Sequence, residues 1–191
     1  FTRKLIEDCA QKTGIRCFLA PFGLRHLCNS VRPISTPDDM KGLKIRTMEI
    51  VPHMKLIESL GASPIPIPFL ELYTSLQTGV VDGAEGTLQN VIAQKLYQVQ
   101  KYLTLTGHLM GVGATLINDK WYQSLPDDLK LVLVEAERVA QTTYNGIGQL
   151  LDTIALDELK EYGMEIYSPT PEELQMFRET AVPYVRKWME E

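Results

Sequence analysis

The chain of 191 residues is 45% hydrophobic and 23% charged, the balance of one globular domain or two small interleaved lobes and not of a disordered chain. At this length roughly 70% of the unfolded surface is buried on folding, so a core forms without disulfides or metal. Its 24 Asp and Glu outnumber 19 Lys and Arg for a net charge of −5, the wrong sign for general attraction to phosphate backbones or anionic lipid, so nucleic acid and membrane surfaces are excluded as partners.

Residues 2–13 predict a helix carrying Leu5, Ile6 and Cys9 on one face and stopping at Gly14. Ile15 to Phe22 then predicts an apolar strand. A chain that opens on a helix feeding a strand starts inside an α/β unit, and an upstream part of the fold is expected to be missing. Thr36, Pro37 and Asp39 have the spacing of a capped helical turn ending at Gly42. Leu43 to Thr47 reads as a short buried strand, followed by a helix from Pro52 with Met54, Ile57 and Leu60 in helical period until Gly61. Pro64, Pro66 and Pro68 each remove a donor, which confines Ser63 to Phe69 to an edge strand or a polyproline path.

A helix over 70–78 stops at Gly79. Val80 to Asp82 predicts a short strand ending on a flexible Gly83-Ala84-Glu85-Gly86, and Thr87 starts a helix through Val91 and Leu96. Tyr102 to Leu105 and Leu109 to Asn118 read as two strands, with Asn118 capping a short helix at Trp121. After Pro126 a helical register continues to about Tyr162, too long for an ordinary globular helix, with a bend or break expected at Gly146 and Gly148. Met164 to Tyr167 is a last strand, and Thr170-Pro171-Glu172-Glu173 is a capping box opening a terminal helix with a kink at Pro183. Helices alternating with short apolar strands make the class α/β. No linker separates lobes, so a second lobe implies a hinged cleft.

The apolar runs, such as Leu109 to Ile117, are far shorter than the ~20 residues of a spanning helix. Phe1 opens the chain with no signal-like segment, so any targeting sequence is expected outside it. Cys9, Cys17 and Cys28 are an odd set without C-x-x-C, which predicts buried thiols acting as small hydrophobes. The serine-hydrolase, metalloprotease and P-loop signatures are absent. His26, His53 and His108 lie 27 and 55 residues apart, a spacing no helical or hairpin metal site requires. Of the three, His108 at the start of a strand is best placed to line a cleft.

Arg46 lies near the carboxyl end of its strand, where ligands of open α/β sheets gather. It is either half of an ion pair with Asp39 or Glu49, which spacing alone favours, or a receptor for an anion. Arg25 also follows an apolar strand, and two guanidiniums aimed at one cleft would need a carboxylate or phosphate between them.

The segments Asp39-Met40-Lys41-Gly42-Leu43-Lys44-Ile45-Arg46, 60–69, 71–83, 97–103 and Leu105-Thr106-Gly107-His108 resemble, in order and spacing, the substrate-binding proteins of tripartite ATP-independent periplasmic (TRAP) transporters, the C4-dicarboxylate-binding-protein-like family. The resemblance covers about residues 25–129, and the long helix after Pro126 is similar to that family's domain-spanning helix. It implies a two-lobed periplasmic-binding-protein-like fold lacking the N-terminal portion of one lobe. Residues 24–110 and 151–178 would form the ligand-binding lobe, and 1–23, 111–150 and 179–191 the remnant of the other.

The same resemblance implies an extracytoplasmic protein that captures an organic acid, with a sugar acid one candidate, and delivers it to membrane-embedded TRAP transporter subunits. It implies no catalysis, metal or cofactor. Its site residues map onto Arg46 as the carboxylate receptor, Arg25 as a supporting arginine, Phe69 against the ligand and His108 near the pocket. Where the family often reads Asp-Gly-Gln-Glu-Asn-Pro, this chain has Asp82 to Thr87, so an amide is missing at Gly86. If Glu85 faces inward, its acceptor oxygens favour a ligand with hydroxyl donors. Otherwise Glu85 points into the protein and Gly86 serves a tight turn. The alternatives are a ligand-sensing receptor domain, or an enzyme with Glu85 or His108 as general base.

Overall fold

The computed structural model describes residues 2–191, without the side chains of residues 2, 3 and 19–22. Along the chain run α1 (Thr2–Thr13), β1 (Ile15–Asn29), β2 (Lys44–Thr47), α2 (Val51–Ser59), β3 (Ser63–Pro66), α3 (Leu72–Gln77), β4 (Gly83–Thr87) and α4 (Leu88–Ala93). They are followed by β5 (Tyr102–Asn118), α5 (Asp119–Ser124), α6 (Asp127–Glu161), β6 (Glu165–Tyr167) and α7 (Pro171–Glu190). The strands form one sheet in the order β3-β2-β4-β1-β5-β6. The proline-rich β3 is an edge strand, parallel to β2, where its missing donors cost no ladder bond on the outer side.

The chain divides into two compact units, Phe1–Gly23 with Met110–Leu150, and Leu24–Leu109 with Leu151–Glu191. All three chain crossings fall inside regular elements, β1, β5 and α6. Residues 179–191 belong to the second unit, although the sequence reading set them with the first: Ala181 of α7 is buried in a core that α2 shares. In the first unit the Gly14 carbonyl accepts from Asp119 N–H, Arg16 Nε bonds Asp119 Oδ1 at 2.7 Å, and the Arg16 guanidinium covers the Tyr122 ring. Many apolar side chains of this unit, including Leu131, Val132 and Val139, are exposed.

The second unit has a core on each sheet face. Cys28 and Ala84 share one cluster with Leu72 and Leu76 of α3, Leu88 and Val91 of α4, and Ala155 and Leu159 of α6. Leu27 and Ile45 share the other with Ile57 of α2 and Phe177 of α7. The alternation follows from the period of two along each strand.

Several elements depart from the sequence reading. β1 runs past Phe22 to Asn29 because β4 continues its ladder, from Arg25 opposite Thr87 to Asn29 opposite Gly83. β4 itself is the glycine-rich Gly83–Thr87, whereas Val80 to Asp82 is a turn. The reason is close approach: a Cβ on Gly83 would lie 2.2 Å from the Cys28 carbonyl oxygen and 2.7 Å from Asn29 Cβ. β5 is one strand, passing through Gly107 at φ +52°. α6 is uninterrupted at Gly146 and Gly148, and α7 continues through the exposed Pro183. The thiols differ too, since only Cys28 is buried. The capping boxes stand as read: Glu173 Oε2 accepts from Thr170 N–H at 2.8 Å, and Asp39 Oδ2 accepts from Thr36 N–H at 2.8 Å.

Candidate functional site

Strand register decides where each candidate goes. Arg46 pairs with Ala84, which puts it on the sheet face of Ala84, Gly86 and Cys28. Arg25 and Glu85 belong to the opposite face, with Leu27. The two arginines are therefore held differently. Arg25 donates from Nε to Glu85 Oε2, and from Nη2 to Glu85 Oε1 at 2.9 Å and to the Glu85 carbonyl at 3.2 Å. Both side chains are buried. His53 of α2 reaches the same carboxylate, Nδ1 to Oε1 at 3.3 Å. Burial opposes ionisation of Glu85, but His108, His53 and Arg25 around it hold the carboxyl well below the usual carboxylate range.

Arg46 is buried at 3% exposure and has one hydrogen bond, Nε to the Ile67 carbonyl at 2.9 Å. That bond fixes the fork against the end of the β3 segment and leaves both terminal nitrogens without a hydrogen-bond partner among the described residues. Neither Asp39 nor Glu49 forms an ion pair with it: the Asp39 carboxylate is taken by Ser35 and Thr36. Burial pulls the Arg46 guanidinium below its ordinary value, with Glu85 opposing and Arg25 adding to the shift. Arg46, Phe69, Glu85, Gly86 and Asn90 line one small cavity. Phe69 is 40% exposed, so it forms a wall open to solvent.

His108 lines a different cavity of about 510 Å³, together with His26, Leu56, Phe177 and Arg178. Its Nδ1 bonds Thr106 Oγ1 at 2.6 Å, while Nε2 is buried without a hydrogen bond, 3.9 Å from Glu85 Oε2. The structure thus brings Arg46, Phe69 and Gly86 to one cavity, ties Arg25 to Glu85, and sets His108 behind that pair.

The whole chain, residues 1–191, matches the family model DctP, described as bacterial extracellular solute-binding protein, family 7. The chain belongs to this family. It is 34% identical over 144 residues to the 2,3-diketo-L-gulonate-binding periplasmic protein YiaO of Escherichia coli, covering 75% of this chain and 44% of that one. With the C4-dicarboxylate-binding periplasmic protein DctP of Rhodobacter capsulatus it shares 34% identity over 152 residues, 79% of this chain and 46% of that one. A crystal structure of a TRAP periplasmic solute-binding protein from Ochrobactrum anthropi superposes with a TM-score of 0.90 at 36% identity, over 98% of this chain and 58% of that one. The chain spans about half the length of the curated relatives it matches.

These family members are solute-binding proteins of transport, and the geometry of Glu85 agrees with such a role. A carboxylate held ionised by a bidentate arginine is a poor general base, and its oxygens are engaged within the protein instead of being offered to ligand hydroxyls. Gly86 is not in a tight turn but inside β4, where an added Cβ would meet only Asn90 Cβ, at 3.9 Å. Two residues escaped the sequence reading. His53 sits 32 positions from Glu85 on a helix opening, and no local motif marks the pair. Asn90, whose backbone N–H donates to Thr87 Oγ1, also lines the Arg46 cavity, and nothing in the apolar period of its helix marks it.

Proposed function

We propose that this chain is the solute-contacting part of an extracytoplasmic binding protein that captures an organic acid for a TRAP membrane transporter, and that it does no chemistry on its ligand. The observation that carries this reading is Arg46. A buried guanidinium with Nε spent on a fixed carbonyl and its two terminal nitrogens unbonded is a preformed receptor for a carboxylate, whose two oxygens match the planar fork. Phe69 supplies an apolar wall. The cavity around the fork is small, with room for about one water at about 10 Å³, so entry of the carboxylate goes with displacement of the exposed Phe69 ring. Arg25 supports the site through Glu85, which it fixes in place, and His108 supports that pair from behind.

The ligand class is a carboxylate with at least one hydroxyl. Beside the Arg46 fork, Gly86 leaves volume and Asn90 presents a carboxamide able both to donate to and to accept from a hydroxyl. The diketogulonate-binding relative agrees with such a ligand, whereas the name of the C4-dicarboxylate-binding relative specifies carboxylates and not hydroxyls. A thermal-shift screen of matched acids with and without hydroxyls, run on the wild-type chain and on Arg46→Ala, tests both levels. Saturation at ~100 times Kd stabilises by about 2.7 kcal/mol. Stabilisation by hydroxylated acids that vanishes in Arg46→Ala is expected. An absence of stabilisation by any acid overturns the carboxylate role, and a preference for unhydroxylated acids overturns the ligand class.

A further inference from the structure

We infer that Cys9 and Cys17 form an intrachain disulfide when the protein meets a disulfide oxidant, stapling α1 to the start of β1. The Sγ atoms of the reduced thiols are 3.5 Å apart. Both side chains are half-buried, so they are within reach of solvent and already face each other. The turn at Gly14 creates this proximity: α1 ends there, with the Gly14 N–H on the Ala10 carbonyl at 2.9 Å, and the start of β1 brings Cys17 beside Cys9. Thr13 Oγ1, bonded to the Cys9 carbonyl at 2.7 Å, ties the last turn of the helix beside the pair.

Cys28 takes no part. It is fully buried in the core of the other unit, donates to the Ala84 carbonyl at 3.5 Å, and burial pushes its thiol up to about 12. Among three cysteines, the structure therefore singles out one pair and one inert thiol, an assignment the odd count alone does not make. The extracytoplasmic location proposed above adds an oxidising setting in which such a bond persists, but the pairing itself rests on geometry.

The oxidant is a small or protein disulfide, RS–SR. One of the two cysteines loses its proton and attacks a sulfur of RS–SR, forming a mixed disulfide and releasing RS⁻. The second cysteine, deprotonated in turn, attacks the protein-side sulfur of that mixed disulfide, forming the Cys9–Cys17 bond and releasing the other RS⁻. The two thiolates take up the two protons. Two cysteine thiols are thus oxidised by two electrons, and RS–SR is reduced to two RSH.

The test uses the purified chain and oxidised glutathione. After treatment and denaturation, the protein should take up one equivalent of a thiol-blocking reagent instead of three, and before blocking the mass of the intact chain should be lower by two hydrogens. Lys12 and Arg16 lie between the two cysteines, so trypsin separates the peptides 5–12 and 17–25 in the reduced protein. In the oxidised protein these peptides should stay joined until a reductant is added, while the peptide beginning at His26, which carries Cys28, remains unlinked. Cys9→Ser should instead leave Cys17 as a stable mixed disulfide with glutathione, since no second thiol resolves it. Recovery of 5–12 and 17–25 as separate peptides from treated wild type, each unmodified or each bearing glutathione, overturns the proposal, as does a cross-link containing Cys28.

Discussion

Arg25 and Glu85 are diagonal neighbours across the β1–β4 ladder: Arg25 stands opposite Thr87, two residues along β4 from Glu85, on the same sheet face. The fork of one therefore closes on the carboxylate of the other, with both side chains at 5% exposure or less. Two residues 60 positions apart become one buried unit, and Glu85 also contacts His53 of α2. The pair holds the strand that carries Gly86 in register behind the Arg46 cavity.

Removing Glu85 leaves Arg25 charged and unpaired in the interior, which costs about 3–5 kcal/mol, whereas removing Arg25 leaves Glu85 its His53 contact. Glu85→Leu is expected to lower the unfolding free energy by an amount of that order, and Arg25→Met by somewhat less. The double variant Arg25→Met/Glu85→Leu should cost much less than the sum, because no orphaned charge remains. Denaturant unfolding of the three variants checks this, and additive losses would show that the two side chains act independently.

Gly83 and Gly86 sit in the same strand and should answer differently to the same change. Gly83→Ala places a Cβ 2.2 Å from the Cys28 carbonyl oxygen, so β4 must move from β1 and the stability loss should be at least the ~1–3 kcal/mol typical of overpacking. Gly86→Ala meets only Asn90 Cβ at 3.9 Å and should leave stability within about 1 kcal/mol of wild type. Its effect should fall on ligand affinity. Thermal unfolding of both variants, with calorimetric titration of Gly86→Ala, separates the two roles.

Much of the fold was legible because its signals are local. The capping boxes at Thr36 and Thr170 need only three residues of context, and the prolines of β3 exclude a central strand by chemistry alone. Arg46 was legible locally only as a charge at the carboxyl end of a short apolar strand, where spacing alone favoured an ion pair, and its assignment as a carboxylate receptor came from the family resemblance. What was not legible depends on partners distant in sequence. Gly83 to Thr87 reads as a flexible loop until β1 is laid against it, when the missing Cβ of Gly83 becomes the condition for pairing. The division of Arg46 and Arg25 between opposite sheet faces follows from a register set by β4, which neither arginine's own neighbours reveal. His53 and Asn90 sit on helices whose apolar period masks their polar roles.

Arg46 is the residue on which the carboxylate reading turns. Arg46→Lys should bind nearly as poorly as Arg46→Ala, because an ammonium cannot hold the Ile67 carbonyl and present a planar two-bond fork together. The expected loss is ~2–5 kcal/mol, roughly thirtyfold to a few thousandfold in affinity. Calorimetry with an acid found by the thermal-shift screen measures it. A lysine variant within a few-fold of wild type would mean that point charge suffices and the fork is not the receptor.

His26 supplies a pH dependence whose direction follows from its surroundings. Its Nδ1 accepts from the Gly107 N–H at 3.1 Å, so it is unprotonated in the folded state. Burial, with a smaller contribution from His108, lowers its pKa from 6.5 to about 4. The unfolded chain therefore binds a proton at higher pH than the folded chain, and stability rises with pH between these values. The full contribution is present above about pH 6.5 and is lost progressively as the pH falls to about 4, by about 3 kcal/mol for a shift of this size. The lowered pKa of Glu85 acts in the same direction, but only below its ordinary value of 4.5. The window between 4.5 and 6.5 therefore separates the histidine from Glu85. His26→Gln, whose side-chain oxygen can accept from the same N–H, should flatten the stability profile there while leaving the more acidic limb intact. Denaturant unfolding at pH values across the window measures this, and a variant profile parallel to wild type would assign the dependence to another group.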